Sequence, residues 1–128
     1  MPYNKEEKSR IDGLLEVFSD YIKGHYYFDI VYSEKVGYVR LVVAEDGSDM
    51  PPVFIGSYDE LLEVLFNEVA VDVYQLKLEG PHFETSLTPL EQVETRKRLL
   101  SYIDKMGVEE KEYALEFLET FLIEYNQK

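Results

Sequence analysis

Residues able to do chemistry are few in this chain and poorly spaced for it. Histidine is the side chain that titrates near neutral pH and the commonest metal ligand, and there are two, His25 and His82, far apart and in no HxxxH, HxH or ExxH pattern. The spacing therefore points to no metal site. The acidic turn from Glu45 to Asp49 lacks the alternating acids, central glycine and distant glutamate of a calcium loop. There is no cysteine, which excludes thiol catalysis, disulfides and cysteine-ligated zinc or iron together. Nucleophile-elbow, P-loop and dinucleotide-binding patterns are missing, and the seven glycines stand singly, so nothing builds a phosphate nest. With 26 acidic residues, carboxylate pairs are so abundant that no one pair is informative. The place for a small enzyme's site is the loop after Gly80, where His82 and Glu84 lie together; a solvated loop is the plainer reading. No catalytic residue and no cofactor is expected.

Charge narrows the partners. The chain of 128 residues carries 26 acids against 13 bases, a formal net charge of -13, and such a surface repels nucleic acid and anionic lipid. The imbalance is local. Residues 44–94 hold 12 acids and the single base Lys77, whereas 1–43 and 95–128 each hold 7 acids and 6 bases. Solubility alone explains such an excess; an imitation of the DNA phosphate row that inhibits a DNA-binding protein is the sharper alternative. The basic run Arg96, Lys97, Arg98 spreads over more than half of a helix circumference and is expected to pair locally, as in Glu94 with Arg98. Met1 to Arg10 is polar, and no stretch has the roughly 18 apolar residues of a membrane span. A soluble, unexported, cytoplasmic protein without direct nucleic-acid or membrane binding is expected.

The elements that must position these residues follow from hydrophobic period. Ile11, Leu14, Leu15, Phe18, Tyr21 and Ile22 form one helical stripe over Lys5 to Lys23, closed by Gly24. Tyr26, Phe28 and Ile30, then Val39, Leu41 and Val43, alternate as two strands joined after Glu34 and Lys35, a hairpin. If the two apolar sets share a face, Ile30 opposes Val39, Phe28 opposes Leu41 and Tyr26 opposes Val43, which sets Asp29 opposite Arg40 as a cross-strand ion pair. A short third strand, Val53 to Ile55, follows Pro51 and Pro52. Ser57 to Glu60 reads as a capping box opening a helix through Leu61, Leu62, Leu65, Val69, Val73 and Leu76; because Val69, Val71 and Val73 also alternate, a strand over 69–78 is the alternative. Thr88 to Glu91, with Pro89 at the first helical position, opens a helix running to Gly107, and a last helix from Glu109 to about Tyr125 should lie antiparallel beside it.

The length suits one domain, so residues 1–128 are expected to form a single α+β domain: an N-terminal helix, a three-stranded antiparallel sheet, then three helices. The helix–three-strand–helix opening has the order of double-stranded RNA-binding domains, but the helix after Ser57 carries Asp59, Glu60, Glu63, Glu68 and Asp72, which opposes that function. The first helix and the Ser57 helix are expected to cover Phe28, Ile30, Leu41 and Val43. On the other face, Tyr27, Val31, Tyr38 and Val42, with Arg40 beside them, form an aromatic platform unless the C-terminal helices bury it.

Through its hairpin FDIVYSEKVGY (Phe28 to Tyr38) and the helix start LTPLE (Leu87 to Glu91), the chain resembles short acidic bacterial proteins of unknown function. That resemblance implies a bacterial origin, no assigned activity and no functional residues. The leading expectation is a non-enzymatic interaction module of the bacterial cytoplasm, binding a protein partner or a second copy of itself through Tyr27, Tyr38, Arg40 and Val42, because tyrosine buries area while keeping a polar tip.

Overall fold

The structure, a computed structural model, describes residues 3–25, 28–42, 51–75 and 89–126. Its elements follow the expected α+β order: α1 (Lys5–Val17), α2 (Ser19–Gly24), β1 (Phe28–Ser33), β2 (Gly37–Val42), β3 (Val53–Ile55), α3 (Tyr58–Gln75), α4 (Pro89–Ile103) and α5 (Val108–Asn126). Contacts group the chain into two units, Met1–Leu61 and Leu62–Lys128.

In the first unit the expected N-terminal helix is made in two pieces. Asn4 caps α1, its side-chain oxygen accepting from the Glu7 N–H at 2.7 Å. The chain turns at Phe18, whose N–H still reaches Leu14 O at 3.1 Å and whose carbonyl accepts from Ile22 at 3.0 Å, so the ladder carries across the break. Phe18 is fully buried with Ile11 and Leu14. The three strands form one antiparallel sheet in the order β1-β2-β3.

The hairpin register differs from the expected one by a single residue. Phe28 pairs with Val42, Asp29 with Leu41, Ile30 with Arg40, Val31 with Val39 and Tyr32 with Tyr38. The cause is the turn. Instead of a two-residue link at Glu34 and Lys35, the connection takes in Val36, whose N–H donates to Ser33 O at 3.2 Å, and is followed by Gly37 at φ 98°. A three-residue loop with a left-handed residue after a tight turn is the common alternative to the two-residue hairpin, and only glycine adopts that φ without strain. Because side chains alternate, one residue of slip turns a strand over. Tyr38, Arg40 and Val42 therefore share a face with Phe28, Ile30 and Tyr32, and Asp29 does not oppose Arg40. The expected ion pair is replaced by a local bond, Asp29 Oδ1 accepting from the Ile30 N–H at 2.8 Å.

At the start of α3 the expected capping box is present in shifted form. Ser57 Oγ accepts from the Glu60 N–H at 3.2 Å, while the Glu60 carboxylate reaches back to the Gly56 N–H at 2.5 Å. Helix α3 is continuous through Gln75, so the strand alternative fails over 69–75; residues 76–78 lie outside the described residues. The helical stripe Leu62, Leu65, Phe66, Val69 and Val73 is buried, and burying each such side chain contributes about 1.5–3 kcal/mol, more than the weak strand preference of three valines.

In the second unit α4 begins at Pro89 as expected and stops at Ile103, short of Gly107, and four residues connect it to α5. Arg96 pairs with Glu119, and Lys111 Nζ lies 3.0 Å from Asp104 Oδ1, so early α4 meets late α5 and the two are antiparallel. Phe66 packs edge-on against Phe117 and Phe121, at 5.6 and 5.8 Å between ring centroids.

Candidate functional site

The sheet's two faces have different chemistry, and α1 decides which is which. From α1, Lys8 and Asp12 stand one turn apart on the side facing β2. The Tyr38 hydroxyl donates to Asp12 Oδ1, Lys8 Nζ donates to Asp12 Oδ2 at 2.9 Å, and Lys8 Nζ also reaches the Tyr38 oxygen at 3.5 Å. The same ammonium lies 4.8 Å from the centre of the Tyr32 ring, a cation–π distance. Tyr3 completes the group from before the helix: its hydroxyl accepts from the Tyr38 N–H at 3.0 Å and donates to Ile55 O at 2.5 Å, splicing itself into the β2–β3 ladder. Arg10 sits 4.1 Å above the Tyr58 ring, a second tie from α1 to the start of α3.

Electrostatics identify this cluster as a clamp. Burial, reinforced by the hydrogen bond to Asp12 and its charge, pushes the Tyr38 phenol up to about 12. Burial also raises Tyr3. For Asp12 burial works upward, but the bonds from Tyr38 and Lys8 outweigh it and hold the carboxyl below its ordinary range; the bond to Asp12 in turn raises Lys8. A tyrosine that keeps its proton this firmly is a hydrogen-bond donor, not a base or nucleophile at neutral pH. The arrangement can hold a helix on a sheet.

The opposite face carries Asp29, Val31 and Ser33 of β1, Val39 and Leu41 of β2, and Phe54 of β3, as the pairings dictate. Val31 is 39% and Phe54 46% exposed, the Phe54 ring stacking on that of Tyr3 with 6.3 Å between centroids, while Val39 and Leu41 are half-buried. Of the other residues expected to form a platform, Tyr27 lies outside the described residues. Tyr38 is 4% exposed and belongs to the clamp, and Arg40 and Val42 are half-buried on the clamp's side of the sheet. The structure brings Tyr38, Arg40 and Val42 together on one face, but not on the face with Val31. Sequence reasoning missed Tyr3, Lys8 and Asp12; the Lys8–Asp12 spacing of one turn was the available signal.

His82 and Glu84 lie outside the described residues, as do Glu45, Asp46, Asp49 and Glu79 of the acidic middle. The acids that are described do not form one row. Asp59 and Glu63 are one turn apart on α3, as are Glu68 and Asp72, but nine residues at about 100° each set the second pair on the opposite side of the helix from the first. Glu91 is 5% exposed, and Glu94 Oε1 accepts from Arg98 Nε at 3.0 Å, the expected local pair. Among the described residues no cluster of three or more His, Asp or Glu could hold a metal ion, and no helix is long and apolar enough to cross a membrane. No family model matches the chain, and no curated protein or solved structure shows detectable similarity to it.

Proposed function

We propose that this protein is a non-enzymatic interaction module of the bacterial cytoplasm that holds its partner on the sheet face opposite the clamp. One observation carries the reading: Val31 and Phe54, large apolar side chains from the first and third strands, stand exposed on one face, flanked by half-buried Val39 and Leu41. Exposed apolar surface of this kind is where soluble proteins meet others. The clamp supports the same view, because it engages Tyr38 of the sheet with Lys8 and Asp12 of α1. Val31 of the expected platform keeps its face, now beside Val39, Leu41 and Phe54, while Tyr38, Arg40 and Val42 lie on the other. The carboxylates of α3, divided between opposite sides, do not favour the phosphate-mimic alternative.

The experiment is an affinity capture from bacterial lysate with the wild-type chain and with the double variant Val31→Ser/Phe54→Ser, compared by quantitative mass spectrometry and accompanied by thermal melts of both. The reading expects proteins retained by the wild type through a high-salt wash and lost by the variant at an unchanged melting temperature. An identical set retained by both chains would contradict it.

A further inference from the structure

The two edges of the sheet are built differently. Strand β3 is three residues long and follows Pro51 and Pro52, which is how native sheets blunt an edge. Strand β1 is six residues long, with neither proline nor lysine, and among the described residues it pairs with β2 alone. From Asp29 to Ser33 its side chains are exposed apart from half-buried Ile30. Its one charged side chain, Asp29, is folded back onto the adjacent Ile30 N–H.

Such an edge accepts an extended strand, and the sequence of β1 says which. Two copies of FDIVYS laid antiparallel about a two-fold axis at Val31 set Val31 against Val31, Ile30 against Tyr32 and Asp29 against Ser33: apolar with apolar, β-branched with aromatic, carboxylate with hydroxyl. No like charges meet. Centring the axis on Ile30 would instead set Asp29 against Val31. Closed two-fold symmetry requires this self-complementarity, and the axis, perpendicular to the sheet, keeps Val31, Val39, Leu41 and Phe54 of both copies on one continuous face.

We propose that the β1 edge pairs antiparallel with the β1 edge of a second copy of this chain, centred on Val31, to form a six-stranded sheet. The inference rests on the reading of this sheet as a contact surface and names one occupant of it. An interface of five paired residues per strand, Asp29 to Ser33, falls below the roughly 1,200 Å² of stable complexes, so the dimer is weak and its population rises with concentration.

The absence of cysteine makes the test direct. Opposed residues in an antiparallel pair have Cα atoms about 4.5–5.5 Å apart, within disulfide reach, so Val31→Cys should give a covalent dimer under mild oxidation. Ser33→Cys should not, because the two copies of that position stand four residues, about 13 Å, out of step. Sedimentation equilibrium of the wild type should show a monomer–dimer equilibrium in the micromolar to millimolar range, and Val31→Lys, a change at an exposed side chain, should leave a folded monomer. A wild type that stays monomeric throughout that range overturns the inference, and so does a dimer that cross-links through Ser33→Cys but not Val31→Cys. A monomeric wild type whose captured proteins are still lost by Val31→Ser/Phe54→Ser overturns the second-copy inference alone; the captured set itself decides the module reading.

Discussion

One face of the three-stranded sheet is tied to α1 by Tyr3, Lys8, Asp12 and Tyr38, and the other presents Val31 and Phe54 to the surface. The clamped face carries more aromatic and β-branched residues, Phe28, Ile30, Tyr32, Tyr38, Val42, Val53 and Ile55 against Val31, Val39 and Phe54, but number alone does not say which face is tied down. The difference lies in what their polar atoms do. On the clamped face Tyr3, Tyr38, Lys8 and Asp12 find partners in other elements: Tyr3 bridges β2 and β3, and Tyr38 meets Asp12 and Lys8. On the open face Asp29 accepts from the next residue's N–H, and the remaining groups are mostly apolar. Exposure is not the contrast, since Tyr32 and Val53 on the clamped face are 38% and 40% exposed; what sets that face apart is that the hydrogen bonds of Tyr3, Lys8, Asp12 and Tyr38 close within the molecule.

Substitutions should separate the two. At the junction of α1 and α2, Phe18→Ala empties a fully buried site and should cost about 3–5 kcal/mol, read by urea or thermal unfolding. Next comes Tyr3→Phe, which leaves the Tyr38 N–H and the Ile55 carbonyl unsatisfied in a buried place; it should cost about 1–3 kcal/mol and accelerate amide exchange at Tyr38. Smaller again is the pH response. Asp12 is held below its ordinary range against the opposing effect of burial, through its bonds to Tyr38 and Lys8. Its contribution is therefore in place above the ordinary carboxylate range and is lost as pH falls through the lowered value. Exposure of the pair keeps the effect small, and Asp12→Asn should flatten that acid limb. The alkaline side has the opposite sign. Burial and Asp12 raise Tyr38 from 10.0 to about 12, so its contribution is complete below pH 10 and disappears as pH rises toward 12. Smallest of all is Val31→Ser on the open face, expected to change stability by no more than about 0.5 kcal/mol. A cost there as large as that of Tyr3→Phe would erase the contrast between the faces.

Much of the architecture was legible in the residues. Element order, the proline start of α4, the capping box before α3 and the antiparallel α4–α5 pair all follow from signals within a few positions of one another. The faces of the sheet were not, because facing depends on register and register on the turn. Glu34-Lys35 and Glu34-Lys35-Val36 are equally plausible links by composition, and the positive φ of Gly37 chooses between them. That choice moved Tyr38 from the expected platform into the clamp. The clamp itself escaped notice since Tyr3, Lys8 and Asp12 meet Tyr38 across 26 to 35 residues of sequence, and only the Lys8–Asp12 step is local. Of the candidate site, then, the sequence located the sheet but assigned the wrong side of β2 to its surface.

Both the clamp and the open face depend on that register, and cross-strand Hα–Hα contacts measured by NMR test it most directly, since close Hα pairs in an antiparallel ladder join directly opposed residues. Contacts linking Ile30 to Arg40 and Tyr32 to Tyr38, or Asp29 to Leu41 and Val31 to Val39, are the result expected. Contacts linking Asp29 to Arg40 and Val31 to Tyr38 would return Tyr38 to the open face and contradict both the clamp and the contact surface proposed beside it.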